Sequence, residues 1–179
     1  MPRSQQPEDG EKIILEKILA ACHDKLRVLD VGCGDGKWAL KLRDDFVGQC
    51  DGIEAWQPYV IKYKLKHKYD ELFVMDVKDF EKFEDYDIVI FGDVLEHLKY
   101  EDAVGVIERI KAAGVTAYLI IPISLCEQDG MFYGNPYETH RYQWTHKELE
   151  AFGWKKLHEG TNPNGLVKIG TYVMEPEDA

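Results

Sequence analysis

The chain has 179 residues, 33 acidic against 22 basic, for a formal net charge of −11. A surplus of that sign repels a phosphate backbone at long range and argues against a long nucleic acid as partner. No apolar run reaches the ~18 residues of a membrane span. With 45% hydrophobic residues and no low-complexity linker, the length accommodates a single domain over residues 1–179.

The first ten residues, Met-Pro-Arg-Ser-Gln-Gln-Pro-Glu-Asp-Gly, lack the apolar stretch of a secretory signal and mix both charges. They read as a flexible N-terminus on a cytosolic protein. Cys22, Cys33, Cys50 and Cys126 form no C-x-x-C pair, and three of them lie in apolar segments where a free thiol packs, so no disulfide framework is expected.

Residues 11–23 place Leu15, Ile18, Leu19 and Cys22 at helical spacing, with Ile14 beside them, predicting an amphipathic helix. A short buried strand follows over Arg27 to Gly32, then a helix over Lys37 to Phe46 and a second strand over Gln49 to Ala55. Pro58 opens another helix to about Lys68, whose alternating lysines spread around it as a solvated face. A third strand over Glu71 to Asp76 and the β-rich run Tyr86 to Phe91 come next. Val104, Ile107 and Ile110 predict a helix over 101–112 that Gly114 ends, before a strand over Thr116 to Ile123. Strands separated by helices imply parallel pairing through right-handed crossovers, a three-layer α/β sandwich.

The rhythm changes at the end. Thr145-His-Lys-Glu148 matches a capping box, and Gly153 closes the short helix it starts. Strands at about 154–161 and 167–174 flank Asn162-Pro-Asn-Gly165, a turn that predicts an antiparallel hairpin.

Gly32-x-Gly34-x-Gly36 follows a strand and opens a helix, so backbone lacking Cβ atoms can come close to a ligand at the carboxyl edge of the sheet. Lys37 breaks the G-x-G-x-x-G spacing of a dinucleotide fingerprint, and no Gly-Lys-Ser or Gly-Lys-Thr follows to make a Walker motif. Glu54, at the end of the second strand, can accept both hydrogens of a ribose diol. Asp76, between Met75 and Val77, can take an amino proton from a purine held by its apolar neighbours. Each acid alone could be a solvated surface group; together at one sheet edge they describe adenosine, with Trp56 bordering the base.

Val28-Leu-Asp-Val-Gly-Cys-Gly-Asp-Gly36, Gly52-Ile-Glu54, Met75-Asp-Val77 and Tyr86-Asp-Ile-Val-Ile-Phe-Gly-Asp-Val-Leu-Glu-His-Leu98 make the chain resemble class I S-adenosylmethionine-dependent methyltransferases. The resemblance implies a Rossmann-like, seven-stranded, mostly parallel sheet with an antiparallel C-terminal hairpin. It implies S-adenosylmethionine as cofactor, with Asp30 and the backbone of Gly32, Gly34 and Gly36 around the methionine moiety, Glu54 on the ribose and Asp76 on the adenine. Asp93 is expected to line the cofactor end. Glu54→Ala is expected to weaken cofactor binding more than folding, as a carboxylate at the solvent edge.

Asp93-Val-Leu-Glu-His97 leaves the fourth strand at the same edge. The loop 124–144 carries Phe132, Tyr133, Tyr137, Tyr142 and Trp144 with Glu138, His140 and Arg141, a mixture suited to covering a small polar acceptor. The expected reaction is direct displacement onto O or N of a small molecule, with His97 and His140 as candidate bases or acceptor-orienting groups. His140-Arg-Tyr-Gln-Trp-Thr145 is also similar to a motif of terminal-nucleotide RNA 2′-O-methyltransferases, where a histidine joins Glu-x-x-Glu-His to bind a divalent metal. Asp93 replaces the first glutamate here, leaving Glu96, His97 and His140 as ligands of suitable type. Metal-assisted transfer to a terminal nucleotide is therefore one alternative, and a non-catalytic adenosyl-binding module or a nicotinamide oxidoreductase are the others. His23, His67, His146 and His158 read as solvated, and Trp38 and Trp154 as packing residues.

Overall fold

The computed structural model describes residues 8–130 and 134–176. Seven strands form one sheet: β1 (Arg27–Val31), β2 (Gln49–Ile53), β3 (Leu72–Phe73), β4 (Ile88–Gly92), β5 (Thr116–Pro122), β6 (Lys155–Thr161) and β7 (Lys168–Met174). Their order is β3-β2-β1-β4-β5-β7-β6. Strands β1 to β5 pair in parallel, while β7 runs antiparallel to both β5 and β6. The helices are α1 (Glu8–Ala20), α2 (Lys37–Leu42), α3 (Gln57–Lys62), α4 (Tyr100–Ala113) and α5 (His146–Ala151).

Alternate residues along the central strands divide between two buried clusters. Leu29, Val89, Phe91, Leu119 and Ile121 meet Ala103, Val106, Ile107 and Ile110 of α4 on one face. Val28, Ile88, Ile90 and Ile120 meet Ile14 and Ile18 of α1, Trp38 and Leu42 of α2 and Val60 of α3 on the other. A period of two with both sides apolar is why these strands read as continuous hydrophobic runs. Each fully buried Ile or Leu contributes about 1.5–3 kcal/mol relative to exposure, so removing Ile107 would loosen α4 from the sheet.

Several boundaries differ from the sequence expectation for local reasons. Residues 8–10 of the segment expected to be flexible already form the first turn of α1; residues 1–7 lie outside the described residues. Strand β3 keeps only two ladder residues, because it is the sheet edge and Val74 is 41% exposed. Lys64 adopts φ 54°, which ends α3 at Lys62 and starts a separate 3-10 turn over Leu65–His67. The expected terminators hold: Gly114 caps α4 at φ 63°, and Thr145 with Glu148 makes the reciprocal capping box at α5. His146 is not solvated as expected, since its ring is held between Tyr172 and Glu159. Trp154 is 1% exposed, a packing residue.

Candidate functional site

The carboxyl ends of β1, β2 and β4 open onto one cavity of about 610 Å³, within the range of small-molecule sites. The turn after β1 forms its floor. Gly32, Gly34 and Gly36 all have positive φ (69°, 55° and 79°), a conformation a Cβ would strain. Gly32 and Cys33 donate their amides to the Ile53 carbonyl at 2.9 and 3.0 Å, which ties the turn to the end of β2. An added Cβ at Gly34 would meet nothing nearer than the Gly32 carbonyl oxygen at 3.8 Å, so the backbone there faces open space.

Glu54 sits where β2 leaves the sheet. Its carboxylate accepts the Gly34 amide at 2.9 Å and the Trp56 amide at 2.7 Å, and burial pushes its pKa up to about 7. Asp30, 1% exposed, accepts the Tyr69 hydroxyl, and burial likewise raises its pKa to about 7. Met75, Asp76 and Val77 line the wall beyond β3, with Asp76 capping a short 3-10 turn by accepting the Lys78 amide.

The opposite wall begins at Asp93, which holds φ 56° directly after β4. A non-glycine residue in that region carries strain of a kind that concentrates at functional sites. The next turn, Leu95–His97, carries Glu96 and His97. The Glu96 backbone carbonyl accepts the amides of Arg141 at 2.7 Å and Tyr142 at 3.2 Å, which draws the 124–144 loop across. His97 and His140 rings therefore meet edge to face, 4.8 Å between centroids.

Glu96, His97 and His140 each offer a ligand atom, and these atoms all lie within 4.8 Å of one another. His97 Nδ1 faces the Thr139 carbonyl at 3.3 Å and His140 Nδ1 faces the Cys126 carbonyl. A carbonyl oxygen can only accept, so the contacts favour the tautomer in which each Nδ1 carries the proton. Burial and the neighbouring ring lower His97 to about 4, and burial lowers His140, so both rings are neutral at pH 7. Glu96 is 1% exposed, and neither carboxylate oxygen has a hydrogen-bond partner among the described residues. Burial first and the Asp93 charge second raise its pKa well above the usual range; its own backbone amide eases the shift without reaching hydrogen-bond geometry.

Ten of the twelve residues singled out from sequence for cofactor or catalysis line this cavity: Asp30, Gly32, Gly34, Glu54, Met75, Asp76, Val77, Asp93, His97 and His140. Gly36 and Trp56 do not. Gly36 is buried against the Lys68 and Leu65 side chains and serves as the N-cap of α2. Trp56 turns its ring toward Tyr137, 6.2 Å away, and contributes only its amide to Glu54. The loop also divides. Tyr137, Glu138 and Arg141 line the cavity, whereas Trp144 is fully buried among Tyr100, Tyr142 and Phe152. Phe132 and Tyr133 lie outside the described residues. Sequence reasoning missed Tyr59, Tyr63, Lys99 and Gln128 as wall residues, and also Lys37 and Trp38 beside the turn; only the strand-edge position of the turn itself hinted at the last two.

A methyltransferase-domain family model matches residues 6–159 of the chain. The chain belongs to the methyltransferase-domain family. Solved structures that share this methyltransferase fold include the Burkholderia thailandensis 1,6-didemethyltoxoflavin-N1-methyltransferase with bound S-adenosylhomocysteine, at 15% identity and TM-score 0.63, covering 95% of this chain and 83% of that one. The Synechocystis PCC 6803 magnesium protoporphyrin IX methyltransferase, also with bound S-adenosylhomocysteine, shares 20% identity at TM-score 0.59 over 93% of this chain and 84% of that one. The small RNA methyltransferase HEN1 aligns at 16% identity and TM-score 0.63, over 94% of this methyltransferase but only 25% of that chain. None of the curated protein sequences matches the chain. No helix among the described residues is long and apolar enough to cross a membrane.

Proposed function

We propose that this methyltransferase moves a methyl group from S-adenosylmethionine to O or N of a small acceptor by direct displacement. The supporting observation is one continuous cavity whose wall runs from the glycine turn, Glu54 and Asp76 to His97 and His140. The donor set fits the cofactor: open backbone at Gly34, carboxylates at Glu54 and Asp76 for hydroxyl and amino hydrogens, and Met75 and Val77 as apolar neighbours for a purine. When bound, S-adenosylmethionine supplies a methyl group activated by a positive sulfur. The chain's own task is then to orient the acceptor and receive its proton. His140, lowered by burial and placed on the loop side, is the candidate to take that proton, and His97, lowered to about 4, the candidate to orient the acceptor.

The test is to incubate the protein with labelled cofactor and pools of small alcohols, phenols and amines, reading S-adenosylhomocysteine release. Release above the acceptor-free rate is expected, with a fall of roughly 10²-fold or more in His140→Ala. A protein that binds the cofactor but never releases product would be a sensor, and the reading would fall.

The unpartnered Glu96 carboxylate favours a second reading, in which Glu96, His97 and His140 hold a divalent cation. One carboxylate and two imidazoles form a donor set of suitable type. Such a cation would polarise an acceptor hydroxyl, of which a terminal nucleotide offers one. Titration with Mn²⁺ followed by electron paramagnetic resonance distinguishes the two: stoichiometric binding lost in Glu96→Gln supports the cation, and none leaves the histidines as bases.

A further inference from the structure

The 124–144 loop brings to the cavity a carboxylate that pairs with no cation among the described residues. Glu138 lines the wall, half-buried, and takes its partners from neutral groups: Gln128 Nε2 at 3.4 Å and the Tyr59 hydroxyl, which itself accepts from the Asn135 side chain. Asn135 is 2% exposed, so the relay that aims Glu138 is anchored inside the protein. Lys99 and Arg141 also line the cavity, yet neither reaches this carboxylate.

Aromatic rings accompany it. Tyr59 and Tyr137 line the wall with Glu138, and Tyr137 is 42% exposed with its ring toward Trp56. Tyr63 braces Tyr59 edge to face at 5.2 Å between centroids, while its own ring already takes Lys62 Nζ at 5.1 Å. No such cation lies over Tyr59 or Tyr137 among the described residues. A cation is attracted by the negative face of a ring and by a carboxylate beside it, and this wall offers both. Glu138 also acts electrostatically on Glu54 and on Glu96, so it stands between the cofactor residues and the histidine pair. Glu96 is 1% exposed and neither of its oxygens has a partner among the described residues, a cost that a positive ligand in the same cavity offsets.

We infer that the acceptor is an organic amine, bound as its ammonium against the Glu138 carboxylate and the rings of Tyr59 and Tyr137. The inference narrows the methyl-transfer reading above from O or N to N, and rests on it. A bound ammonium becomes a nucleophile by giving one proton to His140 or to water. The methylated product again carries one positive charge, so one subsite serves substrate and product.

Calorimetry on protein loaded with S-adenosylhomocysteine, titrated with choline and with 3,3-dimethylbutan-1-ol, isolates the charge, since the two probes differ by a nitrogen for a carbon. Choline should bind roughly tenfold or more tightly than the alcohol. Glu138→Gln should lower that ratio by roughly fivefold and Tyr137→Leu by roughly threefold, a readout that a merely structural role would not move. With labelled cofactor, alkylamines should release S-adenosylhomocysteine where alcohols of the same carbon skeleton do not. Equal affinity for the two probes, no binding of choline, or a ratio unchanged in both variants overturns the inference. So does a Glu138→Gln protein that loses S-adenosylmethionine but keeps S-adenosylhomocysteine, because the carboxylate then serves the sulfonium; in all these cases the cofactor reading stands. A wild-type protein that binds neither form of the cofactor removes that reading, and the inference with it.

Discussion

The two ends of the cavity treat their acids in opposite ways. At the glycine-turn end the chain satisfies them itself: Glu54 accepts two backbone amides, Asp30 accepts Tyr69 and Asp76 accepts the Lys78 amide. At the far end Glu96 is equally buried and has no such partner among the described residues, beside two imidazoles whose Nδ1 atoms face the Thr139 and Cys126 carbonyls. Leaving a buried polar group unpaired costs about 1–3 kcal/mol, more when charged. The first end therefore holds its acids in place by itself, whereas the second leaves a carboxylate without a protein partner.

The largest expected effect tests the glycine-turn end. Contrary to the sequence expectation, Glu54 is 5% exposed and braces the turn as well as lining the cavity. Glu54→Ala should lower affinity for S-adenosylhomocysteine by roughly a hundredfold, through the lost charged hydrogen bonds. It should also lower the melting temperature by roughly 4–8 °C, because the Gly34 and Trp56 amides lose their acceptor. Affinity preserved at reduced stability would make the carboxylate a brace alone and erase the contrast.

A smaller effect distinguishes the ends by pH. In the unfolded chain His97 takes up a proton near 6.5, but in the folded protein only near 4. Its contribution to stability thus rises with pH between about 4 and 6.5. Asp30 has its folded pKa raised from 3.8 to about 7, so its contribution falls as pH climbs through that interval. Thermal melts should show His97→Gln flattening the rising component and Asp30→Asn flattening the falling one. Identical pH profiles for both variants would break the comparison.

The smallest effect is expected from Trp56, whose ring lies on Tyr137 outside the cavity wall. Trp56→Ala should cost about 1 kcal/mol of stability for the lost aromatic contact and change cofactor affinity by less than about threefold. A larger change would return Trp56 to the adenine.

What the sequence makes legible follows from periodicity. Buried parallel strands read as unbroken apolar runs, and positions at strand ends inherit their edge from the strand, so Glu54, Asp76 and Asp93 could be placed without coordinates. Trp56 could not, because beyond the strand end nothing periodic dictates where a ring points. Tyr59, Gln128 and Lys37 escaped for the same reason: each reaches the cavity through a helix start or an irregular loop whose path depends on tertiary hydrogen bonds such as those from Arg141 and Tyr142 to the Glu96 carbonyl. The pairing of His97 with His140 across 43 positions was readable only through a motif resemblance, never through spacing.

Strand β7 follows β6 in the chain yet lies between β5 and β6 in the sheet. During synthesis, a nascent polypeptide that has emerged only as far as Thr161 has no strand with which β6 can pair, and the open side of β5 stays bare. Closure of the hydrophobic interior must wait for Lys168–Met174 to leave the ribosome, because only that segment joins the two. Stalling translation in the preceding stretch should therefore yield protease-sensitive, chaperone-bound material, although most of the cavity wall has by then been made.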